Sequence, residues 1–230
     1  MPRPLRKIEA GTIYHVTNRG RGRPPLFPED ADFEAFVRLL AEALHRFKVD
    51  LLAWCLIGNE WHLLLRPRTD EALSRFMGWI AVTHVRRHHM RHPKSGGHLY
   101  ETRFKSFPVQ ADEHFLKVAR YLHAIPLRAR LVKRTRQWRW NDLTGQLPTA
   151  AWPMRKPKNW LAMVDVEIDP QQAQRLEQSI VRGTPFGDER WAQKAAKRHG
   201  LEAKLKPIGR PRKPLKQLSK RQKRRRMKRK

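Results

Sequence analysis

Short apolar runs alternate along the chain with longer stretches whose apolar residues recur every three or four positions, and this alternation sets out the elements. Residues 12–17 (TIYHVT) form a β-branched and aromatic run, closed by the Gly- and Arg-rich turn 18–23, and predict a first strand. Pro24, Pro25 and Pro28 keep the next stretch non-helical. Asp30 or Asp32 then caps a helix to about residue 47, with Phe33, Phe36, Val37, Leu40 and Leu44 spaced for one buried face. Residues 49–56 and 60–65 read as strands joined at the turn Gly58-Asn59, a hairpin. A second helix is predicted over 71–92, with Leu73, Phe76, Met77, Ile80 and Val85 as its apolar positions, broken by 94–97. Residues 104–110 supply the last strand. Asp112 caps a third helix carrying Phe115, Val118 and Leu122, which Pro126 stops. The order βαββαβ plus a helix is the plan of an α+β, ferredoxin-like or RNA-recognition-motif-like sandwich. In that plan two helices cover one sheet face and the other is free for a ligand.

Further along, the Pro-rich stretch 148–157 predicts a loop anchored by Trp152. Helices are expected over 170–181 and 184–199, the second capped by Asp188 or Thr184 and ended by Gly200. Three parts follow: an α+β body over 1–145 with the third helix as its C-terminal addition, a helical extension over 146–203, and a basic tail over 204–230 too charged to fold alone.

Charge changes this picture more than length does. The 230 residues hold 50 Lys or Arg against 21 Asp or Glu, a net +29. Residues 215–230 contain ten basic side chains and no acid, and taking those ten from +29 still leaves the rest of the chain at +19. Such a field draws in polyanions, and each phosphate neutralised releases counterions. Nucleic acid is the first partner this implies. An anionic membrane surface comes second, but the tail has no alternating apolar face to insert. With one cysteine, Cys55, an internal disulfide and a Cys-rich zinc site are excluded, and its apolar neighbours point to a buried, inert thiol. No apolar run approaches a membrane span and the N-terminus carries no signal-peptide core, so a cytoplasmic, nucleoid-associated setting is expected.

Four groups of residues carry chemistry. Glu60 and His62 flank Trp61 within a strand, so both point to one face and Trp61 to the other. They form either a two-ligand metal site or, more simply, a His satisfied by a backbone or phosphate contact. Tyr121, late in the third helix, is either a half-buried helix residue or a nucleophile. Its phenol, with an ordinary pKa near 10, then needs help toward the phenolate or a polarised phosphate from Arg120 and Arg128. His84, His88 and His92 share one helix stripe at i, i+4 and i+8; flanked by Arg86, Arg87 and Arg91, they read as a polar, phosphate-facing surface rather than a metal site. Gly209-Arg210-Pro211-Arg212-Lys213 has the core of an AT-hook, in which an extended backbone lets Arg210, Arg212 and Lys213 enter a narrow minor groove.

Taken together, these segments resemble the REP-associated tyrosine transposases, relatives of the insertion-sequence, single-tyrosine HUH transposases. The resemblance rests on YHVTNRG (14–20), the hairpin WCLIGNEWHLLLRP (54–67), LSRFMGWIAVTH (73–84), GHLYETRFKSFPV (97–109), RYLHAIPLRARLV (120–132), WRW (138–140), GDE (187–189) and GRPRK (209–213). It implies cleavage and rejoining of single-stranded or hairpin DNA through a 5′-phosphotyrosine link, assisted by Mg²⁺ or Mn²⁺. Tyr121 falls at the family's nucleophile and His62 at the second His of its His-hydrophobic-His motif, with Arg19, Arg103, Lys105, Arg120 and Arg128 as phosphate contacts. Homodimers are common among insertion-sequence relatives. The chain departs from the pattern at two positions. Glu60 stands where the family has its first His, and Ile125 where it has a polar ligand, Asn or Gln, four residues after the tyrosine. Glu still ligates a hard cation, whereas Ile ligates nothing. The metal is therefore expected to bind weakly, and a DNA-binding descendant that no longer cuts is the alternative. Binding of RNA on the free sheet face is a third reading, from the fold plan alone.

Overall fold

The computed structural model describes residues 7–22 and 24–206; Arg210, Arg212 and Lys213 lie outside them. Four strands, β1 (Ile13–Arg19), β2 (Val49–Ile57), β3 (Glu60–Pro67) and β4 (Lys105–Val109), form one sheet in the order β2-β3-β1-β4, all neighbours antiparallel. Helices α1 (Asp30–Arg46) and α2 (Ala72–Arg91) are the two crossovers, and α3 (Glu113–His123) follows β4. After a short turn of helix, α4 (Ile125–Arg128), the chain runs irregularly to α5 (Trp160–Asp165), α6 (Pro170–Arg182), α7 (Glu189–His199) and α8 (Glu202–Leu205). The βαββαβ order is as the periodicity predicts.

Local chemistry explains the ends. The Asp112 carboxylate accepts the His114 N–H at 2.8 Å and so starts α3, a cap worth about 1 kcal/mol. At α1 the cap position is Glu29 rather than Asp30 or Asp32. Asp32 sits three residues further on and accepts the Glu29 N–H at 3.1 Å, the reciprocal half of a capping box. Asp188 caps α7 through the Trp191 N–H at 2.8 Å, and Gly200, at φ +65°, ends it in the left-handed conformation that a residue with a Cβ enters at a cost.

Both sheet faces are covered. On one, Val16, Trp54, Trp61 and Leu63 pack beneath Phe36, Leu40, Phe76, Met77 and Ile80 of α1 and α2. On the other, Ile13, Leu52, Ala53, Cys55, Leu64 and Phe107 pack beneath Phe115, Val118 and Leu122 of α3. The expected free face is therefore absent: α3 lies across it, and Trp160, Val164, Leu176 and Phe186 from beyond residue 146 extend the same apolar layer. Trp54 and Trp61 are both fully buried, which removes the aromatic platform that an RNA-recognition surface requires. A bulge lets β2 serve both layers. Leu51 pairs with Leu65 and Ala53 with Leu64, so Leu52 is the extra residue, and Leu52 and Ala53 both turn toward α3.

Loops close the edges of the sheet. Leu56 N–H donates to the Trp140 carbonyl (2.9 Å) and Ala150 N–H to the Leu51 carbonyl (2.7 Å) along β2. Beside β4, Phe186 N–H donates to Pro108 (2.9 Å) and Gln110 N–H to Phe186 (3.0 Å). Edge groups paired in this way offer no template for another strand. Among the described residues, no helix is long and apolar enough to cross a membrane.

Candidate active site

The register of the sheet assembles the site. Directly opposed residues of antiparallel neighbours share a face. Glu60 opposes Arg19; His62 opposes Thr17, which in turn opposes Lys105; and His15 opposes Phe107. Glu60, His62, Arg19, Lys105 and His15 thus lie on the α3 side, while Trp61 is buried among α1 and α2 as the alternation of β3 predicts. The Trp61 indole N–H donates to the Tyr100 hydroxyl at 3.1 Å, fixing the strand from behind.

Glu60 Oε1 lies 3.3 Å from His62 Nε2. That nitrogen is buried and makes no hydrogen bond, while Nδ1 of the same ring is 3.1 Å from His15 Nε2. The His62 ring holds the Glu60 carboxyl below the usual carboxylate range against partial burial, and the positive charges of Arg19 and Lys105 add to the effect. Burial pushes the His15 ring well below the usual histidine range, with His62 adding to the depression. Two adjacent ligands of an octahedral Mg²⁺, each at 2.0–2.1 Å, stand about 3 Å apart, so the Glu60–His62 spacing fits a hard cation. No group of three His, Cys, Asp or Glu able to hold a metal occurs among the described residues. Glu60 and His62 would give a cation here two protein donors, leaving its other ligands to come from outside the protein.

Tyr121 belongs to the apolar layer between α3 and the sheet and is 7% exposed. Burial raises its phenol above the ordinary value; Arg128 opposes that rise, and Glu177 and Glu60 reinforce it. The Arg128 guanidinium lies over the Tyr121 ring, 4.5 Å from its centroid, and forms an ion pair with Glu177 of α6. Arg19, Arg103 and Lys105 are solvent-exposed. Arg120 turns to structural work, donating to the carbonyls of Val166 (3.0 Å) and Glu167 (3.2 Å) ahead of α6.

Ile125 is buried in the same layer as Tyr121 and presents only hydrocarbon. His123 is fully buried, its Nε2 2.7 Å from Asp142 Oδ1 and its Nδ1 accepting the Trp160 indole N–H at 3.2 Å. It locks α3 to the following loops, on a different side of the helix from Tyr121. The His84–His92 stripe is not a phosphate-facing surface. His84 and His88 are buried against α1, His84 Nδ1 is 2.6 Å from the Tyr100 hydroxyl, and His92 Nε2 is 2.8 Å from Asp32 Oδ1. The acid partner missing from the local sequence comes from α1, across the fold.

Two contributors were not anticipated from the sequence: His15 and Glu177. His15 carried a weak signal, since it alternates with Thr17 and Arg19 along one strand. Glu177 meets the site only through tertiary contacts.

The fold is that of a transposase domain. The chain belongs to the IS200-like transposase family, whose model matches residues 10–124, from the start of β1 to the end of α3. Among solved structures, it is similar in fold to a REP-associated tyrosine transposase bound to a REP hairpin, with a TM-score of 0.54 and 14% identity over 74% of this chain and 93% of that one. A search of the curated proteins finds no match to the sequence.

Proposed function

We propose that this transposase cleaves and rejoins single-stranded or hairpin DNA with Tyr121 as nucleophile. The observation that carries the reading is the convergence, on one side of the sheet, of a buried tyrosine under a guanidinium with a carboxylate–imidazole pair ringed by exposed cations. The Tyr121 oxygen attacks the scissile phosphorus, the P–O3′ bond breaks, and the phenol proton is lost as the departing 3′ oxygen gains one. The product is a 5′-phosphotyrosine with a free 3′-hydroxyl, so rejoining by the reverse attack needs no nucleotide cofactor. Arg128 favours the phenolate and stabilises charge on the phosphate; Lys105 and Arg19 hold the backbone alongside. Glu60 and His62 are the residues that would hold Mg²⁺ or Mn²⁺, which when bound polarises a phosphate oxygen. The likeness to the hairpin-bound transposase supports a hairpin substrate.

The test is incubation with a single-stranded hairpin oligonucleotide and Mn²⁺, followed by denaturing electrophoresis. A protein–DNA adduct in the parent that disappears in Tyr121→Phe is expected. Absence of any adduct in the parent, or one unchanged in Tyr121→Phe, sinks the reading. The apolar Ile125 beside Tyr121 favours a second one, a binding protein that no longer cuts. It predicts hairpin affinity that is steeply salt-dependent yet unchanged by EDTA.

A further inference from the structure

We propose that His15 is a positioning residue for the site: its ring sets which nitrogen of His62 is presented to Glu60 and to a bound cation. The inference deepens the reading of Glu60 and His62 as a metal-holding pair and rests on it. The geometry comes from the sheet. His15 and His62 sit on the same face of neighbouring strands, two register positions apart, and Nε2 of the first meets Nδ1 of the second at 3.1 Å. The His15 ring is fixed from its other side by Phe107, ring centroids 4.9 Å apart, and is 1% exposed. A ring this confined cannot turn away, so it constrains its neighbour.

A single proton lies between the two rings, and that decides the tautomers. Without metal, and with both rings neutral, a lone pair on His62 Nε2 would face the Glu60 carboxylate at 3.3 Å and be repelled. Nε2 of His62 therefore carries the proton. Its Nδ1 must then accept, and His15 donates from Nε2, which leaves the His15 Nδ1 lone pair without a partner, as observed. A cation on His62 Nε2 needs the lone pair there instead. The proton then moves to His62 Nδ1 and is donated to His15 Nε2, so both rings change tautomer together. A histidine that ligates through one nitrogen ordinarily relies on a hydrogen-bond partner at the other for orientation. Here that partner is a second buried histidine rather than a carboxylate or a carbonyl.

The experiment compares the full chain with His15→Leu, His15→Phe and His15→Gln, folding being checked by circular dichroism. Two quantities are read: the tautomer of each ring from long-range ¹H–¹⁵N NMR with and without Mg²⁺, and Mn²⁺ affinity from paramagnetic resonance. In the metal-free parent, His62 is expected to be protonated at Nε2, and Mg²⁺ to shift that proton to Nδ1. Mn²⁺ affinity is expected to fall roughly tenfold to a hundredfold in His15→Leu and His15→Phe and to recover to within a few-fold in His15→Gln, which keeps a donor and an acceptor. Equal Mn²⁺ affinity in the parent and the apolar variants overturns the proposal, as does His62 protonated at Nδ1 in the metal-free parent. Failure of the parent to bind Mn²⁺ removes the metal reading of Glu60 and His62 instead. The metal-free tautomers of parent and apolar variants then decide on His15 alone: identical His62 tautomers reject it, and a His62 tautomer that becomes mixed without His15 upholds it.

Discussion

Lowering the pH should loosen the fold through His84, whose loss of stability can be worked out from its surroundings. Trp61 Nε1 donates to the Tyr100 oxygen (3.1 Å), and Tyr100 donates its proton to His84 Nδ1 (2.6 Å). The ring is packed by Phe36 and Phe27, with centroids at 4.8 and 5.8 Å. Burial, with His88 beside it, lowers the His84 pKa from 6.5 to about 3. A depressed histidine pKa means that the unfolded chain binds the proton more tightly. The stability it confers is fully present above pH 6.5 and is lost as the pH falls from there toward 3. At about 1.4 kcal/mol per pH unit, the fall from 6.5 to 5 removes about 2 kcal/mol. With a urea slope of about 2 kcal/mol per molar, the unfolding midpoint moves down by about 1 M. The assay is urea unfolding followed by tryptophan fluorescence at pH 7 and pH 5, on the parent and His84→Leu. At pH 7 the variant should be less stable by about 1–3 kcal/mol, because the Tyr100 hydroxyl loses its buried acceptor. By pH 5 the gap should shrink by about 2 kcal/mol, since the variant has no ring to protonate. Other buried histidines shift both curves alike, so the change in the gap isolates His84. A gap equal at the two pH values refutes the reasoning.

Three further outcomes are expected. Arg128→Gln removes the cation that opposes the rise in the Tyr121 phenol, so the pH dependence of adduct formation should move to higher pH, and the rate at neutral pH should fall about a hundredfold; a rate and profile like the parent's count against Arg128. Lys105→Ala should weaken hairpin binding and reduce the slope of log K against log salt by about 1, measured by fluorescence anisotropy across a salt series. Asp142→Ala strips the acceptor shared by the Trp54 N–H (2.8 Å) and His123 Nε2 (2.7 Å), which calorimetry or urea unfolding should register as a loss of about 2–5 kcal/mol.

How far the sequence reached depends on whether an interaction is local. Strand alternation put Glu60 and His62 on one face and Trp61 on the other, because a period of two leaves no choice once β3 is recognised. The βαββαβ order followed from periodicity, and Asp112, Asp188 and Gly200 followed from their capping chemistry. The covered second face did not follow. The layer that buries it draws Trp160, Val164, Leu176 and Phe186 from short or isolated apolar positions spread over many residues, with no period to announce them. The same blindness made the His84–His92 stripe look like a solvent face. Its burial and its acid partner come from α1, where Asp32 precedes His92 by 60 residues.

The closure of the second face also sharpens what the site must do. On the proposed reading, a nucleophile on an open sheet would meet water and substrate equally, whereas Tyr121 is held in an apolar layer that penalises its phenolate. Among the described residues it is Arg128, itself paired with Glu177, that relieves that penalty from close range. A phosphate arriving at Arg128 brings a second negative charge to a guanidinium already serving one carboxylate, so DNA and Glu177 compete for it. Helix α6 lies beyond the residues matched by the family model, yet on the proposed reading Glu177 places it next to the tyrosine's guanidinium. If Tyr121 is the nucleophile as proposed, Glu177→Gln frees Arg128 for the phosphate and should raise the rate of adduct formation on the hairpin, read by denaturing electrophoresis, without touching the sheet that carries Glu60 and His62; an unchanged rate refutes this competition.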